Sequence, residues 1–135
     1  MGLLIAMAAS ACLLMNSPAT AGKTVDLENL ISVPVEVSNS GPVAILCQAE
    51  LAHWFATDLA SVAPGARAKL DLRFDAQSGV WAVFNTVGEA LPVERAWCGI
   101  EGRTYETRWT PSLKRERPEP LALDCRPGVS GLDCR

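Results

Sequence analysis

From Ala66 to Phe74 the chain alternates without a break. Ala66, Ala68, Leu70, Leu72 and Phe74 are apolar, while Arg67, Lys69, Asp71 and Arg73 between them are charged. A period of two places the first set on one face of a strand and the second on the other, which predicts a strand with one buried and one wet side. Pro64-Gly65 supplies the turn before it, and DAQSG (Asp75 to Gly79) the turn after it. Gly79 suits that turn because it takes positive φ without steric cost. VWAVFN then reads as the returning strand of a hairpin, with Asn85 and Gly88 bracketing the next turn.

The same period recurs upstream. In ISVPVEVSNSGP, Ile31, Val33, Val35 and Val37 share a face opposite Ser32, Pro34, Glu36 and Ser38. Pro34 lacks a backbone donor, so this segment is expected at a sheet edge. A third run extends from Val43, with Ile45, Cys47, Ala49 and Leu51 continuing to His53 and Phe55 on the apolar face, and Leu46, Gln48, Glu50, Ala52 and Trp54 on the other. Downstream, LPVERAWCG and RTYETRW supply two more short extended segments, separated by Gly99 and Gly102. No long segment is convincingly helical. Several short strands punctuated by Gly, Pro and Asn predict an all-β domain, a small antiparallel immunoglobulin-like β-sandwich with a small β-barrel as the alternative.

The ends change the picture. The first charged residue is Lys23, and the apolar run before it turns polar at Asn16-Ser17-Pro18. Ala19-Thr20-Ala21 has the small-x-small pattern read by a signal peptidase, so residues 1–21 are expected to be a signal peptide. No Lys or Arg follows Met1, which is atypical of such leaders. Ala9-Ser10-Ala11-Cys12 is a competing lipobox-like pattern, in which Cys12 would be lipidated and the protein anchored; an uncleaved leader is a third reading. Residues 22–110 form the expected β domain, 111–120 a charged, Pro-rich linker, and 121–135 a tail in which LDCR occurs twice around a Pro-Gly-Val-Ser-Gly turn.

Leader removal takes the cysteine count from five to four, and an even count in a small exported chain reads as a disulfide framework. The expected pairing is Cys47–Cys98 in the body of the domain, like the inter-sheet bridge of immunoglobulin-like sandwiches, and Cys125–Cys134 in the tail. Trp54, Trp81 and Trp97 are candidates to pack on the first bridge. The net charge of −3 argues against nucleic acid as a partner, and the part after the leader holds no apolar run able to span a bilayer.

Candidate chemistry is sparse. His53 is the sole histidine. Glu50-Leu51-Ala52-His53 has the Glu-x-x-His spacing of di-iron bundles, but those sites need the motif twice. No Cys-x-x-Cys pair supports zinc, and no Gly-x-Ser-x-Gly elbow supports serine hydrolysis. Cys98 as a nucleophile with His53 as base competes directly with the Cys47 bridge. Asp58 is placed to orient His53 only if the fold brings them together, and Glu94, Glu101 and Glu106 read as surface charges. His53 and Trp54 are therefore carried as candidate ligand-binding residues. Trp54 is either packed beneath the C-terminal arm or exposed for stacking on a sugar ring.

The resulting expectation is an exported, non-enzymatic binding module with no cofactor and no metal. Its partner would be another exported protein or a cell-envelope glycan. The rival readings are a small inhibitor of an exported hydrolase, presenting the rigid Cys125–Cys134 loop, and an enzyme using His53.

Overall fold

The computed structural model describes residues 25–52, 55–113 and 118–135. The expected leader, its cleavage site, the Cys12 alternative, His53, Trp54 and the charged centre of the linker lie outside the described residues. A short 3-10 turn, Leu27–Asn29, precedes eight strands: β1 (Leu30–Asn39), β2 (Ile45–Leu51), β3 (Phe55–Val62), β4 (Arg67–Asp75), β5 (Val80–Phe84), β6 (Ala90–Ile100), β7 (Leu121–Pro127) and β8 (Leu132–Cys134). They form one sheet in the order β3-β2-β6-β5-β4-β1-β7-β8. The all-β expectation holds, and both expected disulfides are present, Cys47–Cys98 and Cys125–Cys134.

Alternation settles which faces are buried. Val33, Val35 and Val37 of β1 and Leu70, Leu72 and Phe74 of β4 are core residues. The register pairs them directly, Val33 with Leu72, Val35 with Leu70 and Ile31 with Phe74. Trp81 of β5 adds an edge-on contact to Phe74, with ring centroids 5.4 Å apart. Gly79 closes the β4–β5 turn at φ +70, and its N–H donates to the Asp75 carbonyl at 2.8 Å.

Three expectations need correction. The sheet is mixed, because β7 runs parallel to β1 while the other strand pairs are antiparallel. The long connection after β6 allows this, since parallel neighbours need a crossover and cannot be joined by a tight hairpin. β1 is not an edge strand, because it lies between β4 and β7. Pro34 is tolerated because β7 pairs only with Val35–Asn39, beginning one residue beyond the proline. RTYETRW is not extended either. It folds back through Thr107, whose backbone N–H donates to the Arg103 carbonyl at 3.1 Å and whose Oγ1 donates to the same carbonyl at 2.7 Å.

The disulfides are cross-strand links. Cys47 and Cys98 are directly opposite in the β2–β6 register, so the bridge lies within a sheet and does not join two sheets as expected. Cys98 exchanges both of its backbone hydrogen bonds with Trp109, N to O at 3.0 Å and O from N at 2.8 Å. Its pair with Cys47 is therefore a non-hydrogen-bonded one, the closer of the two antiparallel spacings, which suits a side-chain bridge. Cys125 and Cys134 are likewise opposite in β7–β8. The tail is thus a stapled hairpin that joins the main sheet through β1.

Candidate ligand cavity

The inner faces of β1, β4, β5, β6 and β7, with residues 109–113 and 118–121, line a partly open cavity of about 410 Å³. Its sheet side is made by the alternating residues already described, Val33 and Val35, Leu70 and Leu72, with Trp81 and Leu123 beside them. Its other side is the connection between β6 and β7, chiefly Trp109, Pro111, Leu113 and Pro118. Trp109 is fixed by its two backbone hydrogen bonds to Cys98, and Leu113 packs against the core. The polar side chains in the lining are Ser112 and Glu119, both on the connection and both exposed.

Trp97 also belongs to the cavity wall. It is 7% exposed, stands edge-on to Tyr105 at 5.9 Å between ring centroids, and its Nε1 has no hydrogen-bond partner among the described residues. Arg108 covers Tyr105, its guanidinium 3.9 Å from the ring centroid.

The other buried polar groups are partnered and belong to the framework. Glu50 accepts from Arg95 Nε at 2.7 Å and lies 2.6 Å from Nη2, across the β2–β6 pair. Asn39 bonds through its side chain to three backbone groups. Asp75 accepts from the backbone N–H groups of Gln77 and Ser78. The Ser78 side-chain hydrogen bond is the largest influence on its carboxyl and, with bonds from the Gln77, Ser78 and Asp26 backbones, holds it below the ordinary aspartate value, while burial pulls the other way.

Of the sequence-derived candidates, His53 and Trp54 lie outside the described residues. Asp58 Oδ1 accepts from Gln48 Nε2 at 2.8 Å; its expected contact to His53 lies outside the described residues. Glu94, Glu101 and Glu106 are exposed, as expected of surface charges. All four body and tail cysteines are in disulfides, which removes Cys98 as a nucleophile. Among the described residues no group of three or more His, Cys, Asp or Glu is arranged to hold a metal. The cavity escapes the sequence reading because TPSLKRERPEP reads as a charged, Pro-rich linker or extended arm with no role in the core. Its signal was there in Trp109, Leu113 and Leu121, apolar residues set among the prolines and charges.

Comparison with protein-family models, with curated proteins and with solved structures returns no match.

Proposed function

We propose that this protein is an exported binding module that takes a small, largely apolar molecule into the cavity lined by its sheet and by residues 109–113 and 118–121. The observation that carries this is the cavity itself. Its volume lies within the range of about 300–1,000 Å³ usual for small-molecule sites, and its walls are aliphatic and aromatic with a few polar groups on one side. The two disulfides support a working location in an oxidising compartment, periplasmic or extracellular, and fit removal of a leader.

The test is titration with N-phenyl-1-naphthylamine, a neutral apolar fluorophore, followed by its emission and by quenching of tryptophan fluorescence. Saturable binding is expected, and Leu121→Trp, which adds bulk at an exposed wall position, is expected to weaken it. Absence of saturable binding, or indifference to Leu121→Trp, would remove this reading.

A further inference from the structure

The two edges of the sheet are built differently. The β8 edge is three residues long, and Leu132 N–H is already engaged, donating to the Thr107 carbonyl at 2.7 Å. The β3 edge is eight residues long, and among the described residues its ladder runs to β2 alone. Natural edges are guarded by lysine, proline or extreme shortness, because an open row of N–H and C=O groups invites another strand. β3, FATDLASV, has neither lysine nor proline and is not short; its one irregularity is a bulge at Leu59. Its single charge, Asp58, is held by Gln48 of the neighbouring strand. Phe55, at its start, is 63% exposed.

The register of β3 points to what covers it. Ala56, Asp58 and Ser61 stand opposite Glu50, Gln48 and Leu46, so they share one face. Thr57 and Ala60 stand opposite Ala49 and Cys47, on the other face. Leu59 is the extra residue of a bulge. That bulge makes the strand complementary to itself. Laid antiparallel against a second copy, Ala56 meets Ser61, Thr57 meets Ala60 and Asp58 meets Leu59. Each of the first two pairs keeps to one face, small side chains meet small ones, and no two charges are opposed.

We propose that this edge joins two copies of the chain through an antiparallel β3–β3 pairing, giving an isologous dimer with one continuous sheet. The inference does not depend on the cavity.

Analytical ultracentrifugation of the disulfide-formed protein, from micromolar to millimolar concentration, tests it with two double variants at exposed positions. Ala56→Lys with Ser61→Lys opposes like charges in both symmetry-related pairs and is expected to weaken association by about tenfold or more. Ala56→Lys with Ser61→Glu sets opposite charges in the same pairs, keeps a cation opposite Glu50, and is expected to keep the dimer. Because both variants alter the same two sites, recovery in the second separates lost pairing from lost folding. A wild-type monomer at every concentration, a dimer unaffected by the paired lysines, or equal loss in both variants would overturn the proposal.

Discussion

The side-chain amide of Asn39 donates to the carbonyl oxygen of Val62 at 2.9 Å and to that of Val43 at 2.7 Å. Its Oδ1 accepts from the Gly41 N–H at 3.0 Å, while its backbone pairs with Ala66 and Gly65 across the β3–β4 turn. One residue, 1% exposed, thus ties the end of β1, the β1–β2 turn and the end of β3 together. Asn39→Ala strips three backbone groups of their partner in a buried place. A cost of about 2–4 kcal/mol is expected, since each buried group left unpaired costs on the order of 1–3 kcal/mol and neighbouring losses overlap. Asn39→Asp should be no better, because a carboxylate would then face two carbonyl oxygens. Urea midpoints at constant slope would measure both; an unchanged midpoint for Asn39→Ala would show that this corner is held by something else.

The two disulfides should differ in worth. Cys47–Cys98 closes a loop with a sequence separation of 51, and Cys125–Cys134 one with a separation of 9. The chain-entropy relation gives about 4 kcal/mol for the first and about 2.5 kcal/mol for the second. Paired Cys→Ala variants compared by chemical denaturation would show the order. The reverse order would mean that the tail hairpin, through its pairing with β1, contributes more than loop closure alone.

β1 and β4 were legible in the sequence because their burial follows a period of two, Val33, Leu70 and Leu72 alternating with charged residues, serine or proline. β5, whose Trp81, Ala82 and Val83 are all buried, was legible from the Gly and Asn turns on either side of it. β3 was not readable. The bulge at Leu59 breaks its period, and no glycine, proline or asparagine separates Leu51 from Phe55, so β2 and β3 merged into one run. The pairing of the cysteines followed from their place on strand-like segments, but the bridge's position within the sheet depends on strand order, which is non-local. The cavity was invisible for the same reason. Val35 and Leu113 line one cavity only because β7 returns parallel to β1, a path that the apolar residues Trp109, Leu113 and Leu121 do not reveal by themselves.

Asp75 makes a specific pH prediction. Its folded carboxyl is held below the ordinary value, first by the Ser78 side chain and then by backbone donors. Its ionised form therefore stabilises the fold above the unfolded value. That contribution is lost as pH falls through the folded value, in the range below about pH 4. Asp75→Asn should lower stability at neutral pH and flatten the acid limb of the stability curve. Denaturation midpoints measured from neutral pH to pH 2 would check this, and parallel curves for wild type and variant would rule it out.

Gly99 and Thr107 should prove energetically coupled. A Cβ at Gly99 would collide with the backbone of Thr104, in the segment that folds back over β6. Thr107 pins the same segment: its Oγ1 accepts from the Ile100 N–H at 2.8 Å and donates to the Arg103 carbonyl at 2.7 Å. Displacing that segment also disturbs the Thr107 carbonyl that receives Leu132 and, two residues on, the Trp109 that walls the cavity. Gly99→Ala is expected to cost about 1–3 kcal/mol as an overpacked site, and Thr107→Val a similar amount for the unpaired N–H it leaves. Because each variant loosens what the other removes, the double variant should cost less than the sum by about 0.5 kcal/mol or more. Both single variants should also weaken binding of the apolar fluorophore. Strict additivity, with fluorophore binding unchanged, would show that the folded-back segment and the cavity wall move independently.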